Sequence, residues 1–507
     1  MDSQVFREAA TATIEEIITY FDTLAARDVV SSVQPGYLRT LLPTEVPQDG
    51  EPWSAIHADM DTKILPGITH WTHPNFHAFF PCATSYPSLL GELYSGALSG
   101  ACFNWVCSPA VTELETIVLD WLAKALGLPD CFLSTGPTRG GGVIHGSASE
   151  GVLTAMVAAR ERFLRGKVPG WEGEYAGEDA EVEEVVMRAR AGMVALGTGM
   201  THSSARKAAR VLGVRFRAIP VRAEDGYALT REGLAAALAE CRAQGLQPFF
   251  LVATLGTTDV CSVDDFAGIS AALEADPDGE RVWVHVDAAY AGAALVCPEV
   301  QASTRIALAA RFHSFTVNMH KWLLTNFDAS CFFVRDREWL VRALGVSQAV
   351  YGNAASDGGL VTDYREWQIP LGRRFRSLKI WFVLRTYGIK GLQEYVRRGM
   401  RMGVRVAEAL RARSDLFEIV AGPIFALTVF RAAGERGGAA LTLEERNALT
   451  REVYEKVNAT GKIWLTSTEL DGRFAIRLMT AVRTTQEDHV DRAMKTIVEV
   501  AERVMKG

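Results

Sequence analysis

The chain has no long hydrophobic run, no basic stripe, no paired-cysteine motif and no repeat, and each absence removes a class of function. No apolar stretch approaches the length needed to span a bilayer, so a membrane role is not expected. Lys and Arg number 53 against 60 Asp and Glu, a net charge of −7, and a surface of that sign does not favour nucleic acid. Eight cysteines are scattered without a single Cys-x-x-Cys, several inside apolar stretches such as Ser330-Cys331-Phe332. Buried reduced thiols fit that scatter better than a disulfide framework or a zinc site, and point to the cytoplasm. The first residues carry no apolar core behind a basic start; Ile14, Ile17, Ile18, Phe21 and Leu24 mark one face of a helix instead.

What is present is a 507-residue chain with 48 % hydrophobic residues, enough for two or three domains. Residues 1–85 read as helices joined by Pro-containing loops; the leading helix has too few apolar neighbours there for a core of its own, so it is expected to pack either on a partner subunit or on its own large domain. Residues 86–378 alternate short apolar strands with helices. Ala191–Leu196, Phe249–Thr254 and Val282–Val286 are near-continuous apolar runs, as in parallel strands buried on both faces. Helices over Ser203–Leu212 and Thr230–Arg242 complete a doubly wound α/β layer. Gly166–Arg190, rich in glycine and acids, reads as an exposed insertion. Residues 379–507 form a smaller, helix-rich domain with a strand at Phe474–Leu478.

In a doubly wound sheet, ligands bind beyond the carboxyl ends of the strands. Two side chains fall there with complementary chemistry. Lys321, in Asn318-Met319-His320-Lys321-Trp322, follows an apolar strand; Asp287, in His285-Val286-Asp287-Ala288-Ala289-Tyr290-Ala291-Gly292, ends another. A lysine in apolar surroundings and an acid that keeps a pyridine nitrogen protonated are what pyridoxal phosphate chemistry requires. Taken singly, Lys321 is a surface charge and Asp287 a helix cap; together they favour the cofactor. Asn318 and His320 bracket the lysine with groups suited to a phosphate or a ring, and His285 is placed to orient Asp287. Gly140 to Glu150 is a Gly-rich loop entering a helix at Glu150, an anion cup in which backbone N–H groups and serine hydroxyls converge. Its spacing also suits some dinucleotide folds, but a nicotinamide oxidoreductase leaves Lys321 and Asp287 unexplained. His202 precedes a helix at another strand end, where a cap is the commoner role and stacking on the cofactor ring the functional one. Thr257 and Thr258 follow a further strand.

Together with Pro109-Ala110, Thr112-Glu113-Leu114-Glu115, Gly146-Ser147-Ala148-Ser149-Glu150 and Asp363-Tyr364-Arg365 with Trp367 to Arg376, these residues resemble the group II pyridoxal-phosphate-dependent decarboxylases, most closely the aromatic-L-amino-acid decarboxylases, from about residue 5 to about 500. The resemblance implies an aspartate-aminotransferase-like homodimer. It makes Lys321 the Schiff-base lysine, Asp287 the pyridine partner and His202 the ring-stacking residue that also meets substrate. Ala148, Ser149 and Asn318 would hold the phosphate, and Thr258 would lie near the ring. Tyr351 stands where family decarboxylases carry the tyrosine that returns a proton to the substrate carbon. Relatives that form aldehydes with oxygen replace this tyrosine with phenylalanine or the histidine with asparagine; Tyr351 and His202 are both retained. Trp71, Phe79, Phe80, Pro81, Cys82, Phe103 and Gly372 match the substrate pocket. Cys82 stands in place of threonine and Phe79 in place of tyrosine, while the missing side chain at Gly372 goes with indolic substrates. The expected reaction is decarboxylation of tryptophan or 5-hydroxytryptophan, with tyrosine and dopa as further candidates. Oxygen-dependent aldehyde formation and a non-enzymatic scaffold are the rivals.

Overall fold

The computed structural model describes residues 1–171, 173, 180–345 and 361–506. They divide into two compact units, 82–401 and 1–81 with 402–507. Most of the expected segments 1–85 and 379–507 therefore shares one unit.

In the 82–401 unit the strands are β1 (Gly141–His145), β2 (Met193–Thr198), β3 (Arg215–Ile219), β4 (Gln247–Thr254), β5 (Trp283–Asp287), β6 (Ser314–Asn318) and β7 (Ser330–Val334). They form one sheet in the order β1-β7-β6-β5-β4-β2-β3. The run β3-β2-β4-β5-β6 is parallel throughout, and β7 is antiparallel to both its neighbours. The apolar strands lie where the sequence pattern puts them. β2, β5, β6 and β7 are buried at every position, whereas edge strand β3 is buried only at Ile219. The helix Ala148–Lys167 lies over one face and shares a core with β1, β2, β4, β5 and β7 through Val152, Met156, Ala159 and Phe163.

Two expectations need correction. The stretch Gly140 to Glu150 is mostly not a loop, since Gly141–His145 is a buried strand and the helix starts at Ala148. The glycines serve close packing: a Cβ on Gly140 would lie 2.1 Å from the Cys131 carbonyl oxygen, and one on Gly142 2.9 Å from the Phe333 ring. Nor is Gly166–Arg190 wholly an exposed insertion. The helix Ala180–Gly192 buries Val186 in the core and rests Val182 and Ala189 against it, while its acids face outward. Apolar residues at a helical spacing were masked there by the local excess of charge.

The second unit holds a four-stranded antiparallel sheet. Its strands β8 (Phe417–Ile424) and β9 (Leu427–Ala432) are followed by the two-residue strands β10 (Glu435–Arg436) and β11 (Ala439–Ala440), then by β12 (Thr466–Leu470) and β13 (Arg473–Met479). The sheet order is β12-β13-β9-β8, covered by helices Leu443–Asn458 and Glu487–Lys506. The chain start is tied to it by backbone: Val29 N–H donates to Gly461, and His77 N–H to Trp464, at 3.0 and 2.9 Å. The leading helix Ser3–Thr23 buries only Ala9, leaving Val5, Phe6 and Ile14 exposed.

Several histidines are buried without becoming charged. Burial holds His77 and His285 down to about 4 and His145 and His320 down to about 3. An unfolded chain takes up protons at these histidines below about pH 6.5 that the folded chain does not. Stability therefore falls as pH drops from about 6.5 towards 4. Asp264, raised to about 6 by burial, works in the opposite sense and offsets one histidine in part. We expect the melting temperature to decline steadily across that window; a flat profile between pH 6.5 and 4.5 would contradict these burial effects.

Candidate active site

The sheet register aligns the chemistry along one edge. Asn318 on β6 pairs with Ser330, which pairs with His145 on β1, while Thr254, Asp287 and Thr316 pair in turn across β4, β5 and β6. Polar side chains from five strands thus converge where the parallel strands end.

Asp287 is 6 % exposed and accepts the Ala289 N–H at 3.1 Å. The segment after it folds tightly on β6. Ala288 N–H donates to Thr316 at 2.9 Å and Asn318 N–H to Ala289 at 3.1 Å. A Cβ on Gly292 would lie 3.0 Å from Val317 Cγ2, so this approach needs glycine. The Tyr290 ring stacks on Trp322 at 5.1 Å and 12°, which joins the Asp287 segment to the Lys321 segment.

Lys321 lies in the four-residue helix Met319–Trp322 and keeps some solvent exposure. Desolvation lowers its pKa, opposed by the charge of Asp287 and, more weakly, by Cys82 and Cys261. Loss of the proton makes the amine a nucleophile. Cys82 reaches this place because Ala83 N–H donates to the His320 carbonyl at 2.8 Å and Ser85 Oγ to the Leu324 carbonyl at 2.6 Å. Burial pushes the Cys82 thiol up to about 11. Cys261, buried with φ 57°, was not anticipated; only its place in the hairpin after β4 brings it near.

His202 caps the helix Ser203–Val211. Ser204 N–H donates to Nδ1 at 3.2 Å, so the neutral ring carries its proton on Nε2. Its pKa is lowered chiefly by burial, with Asp287 opposing and Lys321 assisting. The cap is therefore present, and the same ring lies in the field of both key groups. His320 receives the Ala329 N–H on Nδ1 at 2.9 Å, which likewise leaves Nε2 as the donor. Thr258 lies in the hairpin Leu255–Val263, whose base is closed by Asp264. That carboxylate, unnoticed in the sequence, accepts the Leu229 and Thr254 N–H groups, each at 2.7 Å.

The anion cup is formed by two residues and a helix start. Ser147 caps the helix Ala148–Lys167 through Glu150 N–H, and the Glu150 carboxylate accepts Gly146 N–H at 2.9 Å. Ala148 and Ser149 are the first two helical residues, whose N–H groups lie ahead of any intrahelical acceptor. Asn318, 4 % exposed, has a side-chain oxygen with no partner among the described residues. A buried carboxylate, a lysine of lowered pKa and a helix start whose first N–H groups have no intrahelical acceptor together fit pyridoxal phosphate.

The expected pocket residues fall in both units. Phe103 and Gly372 belong to segments that pair side by side, Arg365 N–H donating to Phe103 and Arg373 N–H to Ala101 at 3.1 and 2.7 Å. A Cβ on Gly372 would meet nothing within 4 Å. In the other unit Trp71 stacks on Phe79 at 5.4 Å, both substantially exposed, and the Arg477 guanidinium lies over Phe80 at 5.3 Å; Pro81 ends that unit. Tyr351 lies outside the described residues.

Beneath these groups sits a buried ion pair that was not anticipated. Glu115 and Arg373 are bonded to each other, and their side chains are each 1 % exposed. Glu115 also accepts Ile144 N–H at 2.8 Å, filling a position on edge strand β1. Arg373 also donates to Gln368 and lies 4.6 Å over the Tyr364 ring.

Comparison with known proteins agrees with this geometry. Residues 35–433 match the pyridoxal-dependent decarboxylase conserved domain. The chain is 40 % identical to the aromatic-L-amino-acid decarboxylase of Rattus norvegicus, over 100 % of this chain and 99 % of that one. It is 41 % identical to the phenylacetaldehyde synthase of Arabidopsis thaliana, over 99 % and 96 %. The solved structure of Oryza sativa TDC with PLP and tryptamine superposes with a TM-score of 0.91 at 35 % identity, covering 100 % and 99 %. The sheet is that of fold type I, the cofactor is pyridoxal phosphate and the enzyme class is carboxy-lyase. On its sequence, its fold and the chemistry gathered at the sheet edge, the chain belongs to the pyridoxal-dependent decarboxylase family.

Proposed function

We propose that the enzyme removes the carboxylate of an aromatic L-amino acid, tryptophan or 5-hydroxytryptophan before tyrosine or dopa, giving the arylethylamine and carbon dioxide. The observation that carries this is the meeting of Lys321, Asp287 and His202 in one electrostatic group at the strand ends. When bound there, pyridoxal phosphate supplies a protonated ring that accepts the electron pair freed as the Cα–carboxylate bond breaks. Asp287 would hold the proton on the ring nitrogen. Lys321 Nζ would hold the cofactor through its aldehyde carbon and would supply the amine at product release. Ala148 and Ser149 N–H groups, with the Asn318 amide, would hold the phosphate; His320 Nε2 would donate to the phosphate or the ring, and Thr258 would border the ring. His202 offers a ring face and an Nε2 proton. Tyr351 is assigned, by resemblance, the proton returned to Cα.

The aryl group is assigned to Trp71, Phe79, Phe80, Pro81, Cys82, Phe103 and Gly372. The open space around Gly372 supports room for a bicyclic ring. Gly372→Ser therefore adds a side chain without a clash, and we expect it to keep the fold and shift preference from tryptophan towards tyrosine by about ten-fold in kcat/KM. Unchanged selectivity would remove Gly372 from the pocket.

The Arabidopsis relative at 41 % identity motivates a second reading, oxygen-dependent formation of an aromatic aldehyde. Retention of His202 and Tyr351 favours simple decarboxylation. Turnover of the loaded enzyme with and without oxygen, with products identified by mass, tests it. Equal amine yields support decarboxylation; aldehyde and peroxide formed only in air would overturn it.

We also propose a cytoplasmic homodimer. Val5, Phe6 and Ile14 on the leading helix, and Leu90, Leu93 and Tyr94 on the helix Tyr86–Ala97, are exposed apolar side chains that a second copy would cover. Among the described residues no helix is long and apolar enough to cross a membrane.

A further inference from the structure

We propose that His285 is a positioning residue for Asp287, held in a single tautomer by Trp283 and Ser314; this rests on the assignment of Asp287 as partner of the cofactor ring nitrogen. Alternation along β5 puts Trp283, His285 and Asp287 on one face of the sheet. His285 is fully buried there, and its ring is clamped in a row of parallel rings drawn from four strands. Phe250 stacks on one side at 6.2 Å and 16°, Phe332 on the other at 6.0 Å and 19°. His145, directly before the anion cup, continues the row on Phe332 at 5.3 Å and 25°.

The row fixes the ring plane but needs no nitrogen, since phenylalanine would stack equally well. The nitrogens have a separate arrangement. Trp283 Nε1, which can only donate, donates to Ser314 Oγ at 2.8 Å. Ser314 Oγ lies 2.8 Å from His285 Nδ1. Having accepted from the indole, the hydroxyl keeps its own hydrogen for Nδ1, the assignment adopted in this proposal. The remaining proton of His285 sits on Nε2, which is buried and has no partner among the described residues. Such a group is costly to keep. It is kept on the residue that immediately precedes Asp287 on that face, and the charge of Asp287 acts on it, opposing the effect of burial. The neutral imidazole thus presents a fixed dipole on the face that carries the carboxylate. Its effect is to keep Asp287 aimed at the strand ends, without competing with Lys321 as a cation.

The test is a cycle of His285→Phe, Asp287→Asn and the double variant, with Ser314→Ala as a milder probe. The readouts are the pyridoxal phosphate dissociation constant of the full-length chain, by fluorescence titration, and the melting temperature before the cofactor is added. We expect His285→Phe to weaken cofactor binding about ten-fold with little change in melting temperature, as for neighbours in one network. Ser314→Ala is expected to weaken it in the same direction by less. In the Asp287→Asn background, His285→Phe should add less than about two-fold, because its effect acts through the carboxylate. Wild-type affinity in His285→Phe, or the same ten-fold loss with Asp287 already replaced, overturns the proposal while leaving the role of Asp287 intact. An unchanged constant in Asp287→Asn overturns the role of Asp287 itself, and this inference with it.

Discussion

Asp287→Ala is expected to lower kcat/KM by about three powers of ten or more while the protein still folds. The contacts that build the surrounding structure are made by backbone: Leu255 N–H donates to the Asp287 carbonyl at 2.9 Å, and β5 pairs with β4 and β6 through residues on either side. The side chain contributes one bond, to Ala289 N–H. Removing it spares the sheet and removes the negative charge that opposes loss of the Lys321 proton and that acts on His202. Cofactor affinity should fall together with the rate, and far-ultraviolet circular dichroism should stay unchanged. Near-normal turnover would mean that another group protonates the ring.

The second large effect is on stability. Glu115→Ala leaves Arg373 as an uncompensated buried cation and deprives Ile144 N–H of its acceptor, at a cost of about 3–5 kcal/mol. Glu115→Gln keeps an acceptor for both donors and should cost less. Replacing the pair together, as Glu115→Leu with Arg373→Met, removes both charges, so the double variant should be less destabilised than the sum of its singles. Chemical denaturation of the four proteins would show this; additive losses would mean that the two side chains contribute independently. Arg373 also anchors the chain beside Gly372, and Glu115 the strand that enters the anion cup, so changes in substrate preference should accompany the loss.

These two predictions draw on different kinds of information. Asp287 and Lys321 are legible in sequence because each terminates an apolar run, where an unpaired charge is conspicuous. The strands β2, β4, β5, β6 and β7 are legible for a related reason: burial on both faces leaves continuous apolar segments. β1 is not, because its glycines carry no strand preference and are explained only by Cys131 and Phe333 lying against them. The helix Ala180–Gly192 is hidden by its own acids. Glu115 and Arg373 lie 258 residues apart, and each alone is an ordinary charged residue in a helix or a loop. Asp264 is similar, one acid in an acidic pair whose partners are backbone N–H groups. His202 carried two readings, cap and ring neighbour; the structure shows the cap and supplies the electrostatic coupling behind the other.

The order of the sheet also bears on when the molecule first becomes able to hold its cofactor. β6 and β7 form a sequence-local antiparallel pair, and Lys321 rides in the connection between them. β1, which leads into Ala148 and Ser149, joins β7 across roughly 185 residues of chain. Closing so long a loop is slow, and most of the unit must be made before that edge can dock. On that separation we expect the Lys321 segment to form before the helix start at Ala148 joins it. Pyridoxal phosphate then acts as a lock on a finished sheet instead of a template for it, so adding the cofactor during refolding should raise the final yield without accelerating the step that forms the sheet.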